Sequence, residues 1–81
     1  MNQATQARSL GEIAREIRRE WQPVNYAAKP YLDAMATLNS VQEDYGLDSG
    51  RSIVLYFLAN AQSWRGDAAR RIKAELKEMV K

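Results

Sequence analysis

Residues 51–61 read RSIVLYFLANA, an unbroken apolar or aromatic run from Ile53 to Ala59 bracketed by Arg51 and Asn60. The run falls far short of the roughly 20 residues that span a bilayer, so it is read as a core element of a soluble protein. At 100° per residue, Ile53, Val54, Phe57, Leu58 and Ala61 fill one arc of about 140°, while Leu55, Tyr56 and Ala59 lie opposite among Ser52, Gln62 and Ser63. A helix apolar over so much of its circumference is normally enclosed by others. The expected fold is therefore all-α: a small four-helix bundle, with or without an additional short helical turn, packed around this central apolar third helix.

Working outward, Leu47-Asp48-Ser49-Gly50 is the connector, and Asp48 or Ser49 is placed to cap the third helix, expected over 50–62. Downstream, Ser63 is the candidate cap of a fourth helix over 64–80, with Trp64, Ala68, Ile72, Leu76 and Met79 as its apolar stripe. Gly66, worth up to about 1 kcal/mol less than alanine in a helix, is expected to admit close approach of another segment. Upstream, Ala28, Tyr31, Leu32, Met35 and Leu38 recur at helical spacing, which predicts a second helix over 26–38 with Pro30 in its first turn. Val41 and Tyr45 continue that stripe as a further turn to 45, and Gly46 is a left-handed stop.

The first helix, over 9–21, opens on Ser9-Leu10-Gly11-Glu12, a capping box in which serine and glutamate each accept from the other's backbone amide. Leu10, Ile13, Ala14, Ile17 and Trp21 form its apolar face, Pro23 ends it, and Arg8 with Glu12 and Glu16 with Arg19 are oppositely charged neighbours on its surface. Residues 1–8 read as a frayed or disordered start and 9–81 as one helical domain. No strand pattern, repeat or low-complexity tract is seen.

Composition narrows the function. A chain of 81 residues makes one domain, and 46% hydrophobic with 27% charged residues is enough to fold it. With neither cysteine nor histidine there is no disulfide framework, no ordinary zinc site, no ordinary general base near neutral pH and neither common catalytic triad. The expectation is no enzyme, no cofactor and no metal. The first ten residues, MNQATQARSL, carry no apolar run of the kind a signal peptide needs, so a cytoplasmic protein without membrane contact is expected.

Charge is uneven along the chain. Residues 1–22 carry four basic and three acidic side chains, residues 23–63 two and four, and residues 64–81 six and three. Within the last helix Arg70, Lys73, Lys77 and Lys81 fall on one line with Arg65 near its start, a pattern able to track a phosphate backbone. The competing reading is a solvated face on which Arg71 and Glu75 pair, and a net charge of +2 is weak for nucleic acid. A helix-turn-helix through EDYGLDSGRSIV is disfavoured because its second helix would be the apolar one, with nothing after Arg51 to read bases. Arg65-Gly66-Asp67 matches an adhesion tripeptide by chance, and Asp67 suits the helix dipole. Glu43, Asp44 and Asp48 miss the spacing of a calcium loop and read as an acidic turn.

The phrases PYLDAM, DYGLDSGRSIVLYFLANA and WRGDAARRIKAEL together resemble a family of short proteins of unknown function carried by prophages and integrative elements of Gram-positive bacteria, over about residues 10–80. That resemblance implies a small helical protein of mobile-element origin and supplies no active-site residues. The leading expectation is a non-enzymatic interaction module with a protein partner, or self-association, in which Leu55, Tyr56 and Trp64 form the anchor patch. The second is nucleic-acid binding through Arg65, Arg70, Lys73, Lys77 and Lys81.

Overall fold

The computed structural model describes residues 8–81. Four helices span Leu10–Glu20 (α1), Lys29–Met35 (α2), Gly50–Ala59 (α3) and Asp67–Met79 (α4), and a two-stranded antiparallel hairpin, Asp44–Tyr45 (β1) with Asp48–Ser49 (β2), precedes α3. The protein is mostly helical, but the expected all-α fold is corrected by the hairpin. Among the described residues no helix is long and apolar enough to cross a membrane.

Both α1 and α3 begin in the same way. In α1 the Ser9 hydroxyl accepts from the Glu12 amide at 3.1 Å and the Glu12 carboxylate accepts from the Ser9 amide at 2.9 Å, the expected capping box. The two remaining first-turn amides, Leu10 and Gly11, donate to the carbonyls of Asn39 and Leu38 at 3.1 and 3.0 Å. In α3 the Ser49 hydroxyl accepts from the Ser52 amide at 3.0 Å, while Gly50 and Arg51 donate to the carbonyls of Glu43 and Val41 at 2.6 and 2.9 Å. The segment from 36 to 43 thus runs past two helix starts and satisfies amides that no turn of helix could satisfy.

This use of the 36–43 backbone explains why the second helix is shorter than its stripe predicts. Thr37 and Leu38 turn tightly on the carbonyls of Ala34 and Met35 at 3.1 Å, and the next carbonyls face α1 instead of continuing the helix. The expected extra turn to Tyr45 is replaced by the hairpin, in which Gly46, at φ +63°, is the first of two loop residues, the position that a type II′ turn reserves for glycine. Tyr45 is exposed accordingly.

The third helix meets α2, α4 and both strands of the hairpin, while α1 packs on α2 and α4, and each helix turns buried side chains to a shared core. Leu10, Ile13, Ile17, Leu32, Met35, Val54, Phe57, Ile72 and Leu76 are fully enclosed there. Leu55, Tyr56 and Ala59 face outward. At one end of the core the Trp21 and Trp64 rings stack at 5.4 Å between centroids, 9° from parallel, and Phe57 meets Trp21 edge-on at 6.2 Å.

The fourth helix begins at Asp67, not at Trp64, and Ser63 does not cap it: its N-cap is Gly66, at φ +112°. A Cβ on Gly66 would meet nothing within 4 Å, so that glycine supplies backbone conformation and admits no close neighbour. Close approach occurs at Gly50, where a Cβ would lie 2.8 Å from the Ser40 carbonyl oxygen and 2.9 Å from the Val41 Cα, and less severely at Gly11, 3.2 Å from the Ala36 oxygen. The expected frayed start covers residues 1–7, outside the described residues, and Arg8, which is held by two carboxylates.

Gly50→Ala is expected to cost about 3 kcal/mol or more, because backbone must move at both partners, whereas Gly66→Ala should cost about 1–2 kcal/mol from backbone strain alone. Urea unfolding of the two variants checks the order. A Gly50→Ala protein as stable as the parent would show that the 36–43 segment is not pinned.

Candidate functional site

The outer surface divides by chemistry. On α3, Leu55 is 39% and Tyr56 45% exposed. The Tyr56 ring leans on Tyr31 of α2 at 5.4 Å between centroids, 45° from parallel, which carries the strip across the α2–α3 junction. Ser52 and Ala59 flank it with small side chains. Trp64, expected beside Leu55 and Tyr56 on a binding patch, is only 4% exposed and its ring is committed to the stack with Trp21. It is removed from the surface, and Tyr31 takes the neighbouring place.

The cations of α4 separate into two flanks. Arg71 reaches α1, where it and Arg8 share the Glu16 carboxylate: Arg8 Nη1 is 2.7 Å from Oε1 and Arg71 Nη2 donates to Oε2. Arg8 also grips Glu75 through both ends of its fork, at 3.0 and 2.6 Å. The pairs suggested by sequence spacing, Arg8 with Glu12, Glu16 with Arg19 and Arg71 with Glu75, give way to bridges between elements because Arg8 and Glu16 lie where α1 packs on α4. The guanidiniums of Arg71 and then Arg8 hold the Glu16 carboxyl down at about 2; Glu75 first and then Glu16 raise the Arg8 guanidinium above its ordinary value, and Glu16 raises that of Arg71. The Glu12 carboxyl is also lowered, by the amide and hydroxyl of Ser9.

The opposite flank of α4 carries the five residues of the basic line. Arg70 pairs with Asp67 and Lys81 with Glu78, each within one turn, so their charge is locally offset. Arg65, Lys73 and Lys77 have no carboxylate partner among the described residues. Lys73 Nζ donates to the Trp64 carbonyl at 2.7 Å and stands 6.0 Å from the centre of that indole. Burial, then the nearby charges of Lys77 and Arg65, pushes the Lys73 ammonium below its ordinary value. At the start of this flank Trp64, Arg65, Gly66, Ala69, Arg70 and Lys73 line a cleft of about 330 Å³.

Two further large apolar side chains stand out from the surface. Leu47, in the hairpin loop, is 106% exposed, and Tyr26, ahead of α2, is 87% exposed. The signal for Leu47 was a glycine before it and aspartate after it, the chemistry of a tight turn whose tip must project. Asp44 and Asp48 flank that tip without cationic partners among the described residues. Among the described residues no group of three or more acidic side chains converges as metal donors.

Comparison with protein-family models, with curated proteins and with solved structures finds no match to this chain.

Because the folded-state carboxyl of Glu16 lies below the ordinary value of 4.5, its contribution to stability is present above that pH and is lost as pH falls toward about 2. Glu16→Gln should therefore be less stable than the parent at neutral pH by on the order of 1–3 kcal/mol, with the gap closing in acid. Thermal unfolding followed at several pH values checks this, and a gap independent of pH would contradict the assignment.

Proposed function

We propose that this chain is a non-enzymatic interaction module that binds a protein partner across the outer face of α3, and that it serves a mobile element as an accessory or regulatory factor. The observation that carries the first part is the exposure of Leu55 and Tyr56 on the most apolar segment of the chain, continuous with Tyr31. Aromatic anchors beside small residues suit an apolar helix laid along the strip, with Ser52 and Ala59 allowing close approach. The mobile-element part is supported by the sequence resemblance over residues 10–80.

The test installs a photo-crosslinking residue at Ala59, identifies the captured protein and reconstitutes the pair from purified components. Leu55→Asp with Tyr56→Ser should leave the fold intact, since both side chains face outward, and should weaken that pair by about ten-fold or more. An affinity unchanged by the double substitution would overturn this reading.

A second reading, nucleic-acid binding by the basic flank of α4, is favoured by the mutual proximity of Arg65, Lys73 and Lys77. Three of the five cations on that flank have no carboxylate partner among the described residues. Neutralising about three phosphates gives a slope of about −2.7 in log affinity against log salt, roughly a forty-fold loss between about 50 and 200 mM. Binding with that slope, abolished by Lys73→Glu with Lys77→Glu and indifferent to Leu55→Asp, would replace the protein-binding reading.

A further inference from the structure

We infer that the hairpin tip of one molecule docks into the basic cleft at the start of α4 of a second molecule, so that copies of this chain associate head to tail. This rests on surfaces other than the α3 strip and stands independently of it.

The donor side is an apolar knob in an acidic collar. Leu47 projects fully, Tyr45 is 46% exposed beside it, and Asp44 and Asp48 stand on either side with no cation to offset them among the described residues. Left in water, such a tip gains nothing from its leucine. The receiving side inverts that arrangement. The largely buried side chains of Trp64 and Ala69 form the floor of the cleft, its rim is Gln62 with the charged Arg65, Arg70 and Lys73, and its volume of about 330 Å³ leaves room for a leucine side chain. Gly66 in the lining leaves open space where any other residue would place a Cβ. The Arg70 pair with Asp67 is an exposed contact within one turn and exchanges partners at little cost.

Position decides that the contact is between molecules. The hairpin lies at the start of α3, where Arg51 Nε donates to the Val80 carbonyl at the far end of α4 at 3.1 Å. The cleft lies at the other end of the α3–α4 pair, beyond the ten residues of α3, a rise of about 15 Å. A tip cannot reach its own cleft, yet each molecule offers one of each. Contact of this kind is heterologous, and it propagates unless the rotation closes a ring. A single hairpin tip buries less than a standard interface, which places the dissociation constant in roughly the high-micromolar to millimolar range.

The experiment is sedimentation velocity on the full chain at concentrations up to about 1 mM. The average mass should rise with concentration, and the rise should shrink several-fold as ionic strength goes from about 0.02 to 0.2 M. Leu47→Asp removes the knob, and Arg65→Glu with Arg70→Glu inverts the cleft. All three side chains are exposed, so thermal unfolding of the variants should match the parent. Each variant alone should be monomeric. Mixed in equal amounts they should form one-to-one dimers and nothing larger, because one sound tip and one sound cleft remain. A parent protein monomeric throughout, association that survives Leu47→Asp, a mixture that stays monomeric, or a mass increase requiring added oligonucleotide would each overturn the inference.

Discussion

The backbone from Ala36 to Glu43 is the constraint on which the arrangement depends. A helix start leaves amides without partners, and here two helices, α1 and α3, each resolve the problem with one serine hydroxyl and two carbonyls of this segment. The consequence is geometric: helices that do not follow one another in sequence are placed relative to each other by hydrogen bonds of fixed length. Glycine at positions 11 and 50 is what lets the helices come so near, and at Gly50 the approach leaves no room for even a methyl group. Apolar packing then fills a frame whose corner is already set.

The fourth helix is fastened by other means. Its apolar stripe enters the core through Ala69, Ile72 and Leu76, its lead-in is held by the Trp21–Trp64 stack, and Arg8, Glu16, Glu75 and Arg71 tie its flank to α1. Glu16 serves two guanidiniums at once, so ordering one side chain supports two bridges and the entropic cost per bridge falls. Drawing Arg71 inward to α1 also sorts the charge of α4. One flank becomes an internal tie, and the other is left with cations and few carboxylates to meet them.

What could be read from sequence follows the range of the interaction responsible. The caps at Ser9 and Ser49 and the stripe of α1 are local, made by residues within a turn or two of each other, and they were legible. The hairpin was not, since strands of two residues show no alternation, and Tyr45 fell by coincidence at helical spacing from Val41. The end of α2 was hidden because it is decided by amides of α1, distant in sequence. Trp64 read as both a core residue and a surface anchor, and only its meeting with Trp21 removes it from the surface. Of the candidate site, Leu55, Tyr56 and the basic line of α4 were visible as positions on a wheel. Whether a given cation is paired depended on tertiary neighbours, as Arg71 shows.

The packing of α3 accounts for the surface chemistry that remains. Its neighbours α2, α4 and the hairpin leave one of its sides uncovered. The chain with the richest apolar segment therefore has to leave part of that segment outside, and Leu55, Tyr56 and Ala59 are the part left out. Charge is distributed elsewhere, with Asp44 and Asp48 on the hairpin and Arg65, Lys73 and Lys77 along one flank of α4. The described surface thus carries an apolar strip on α3, an acidic hairpin tip and a basic flank on α4, three surfaces of different chemistry.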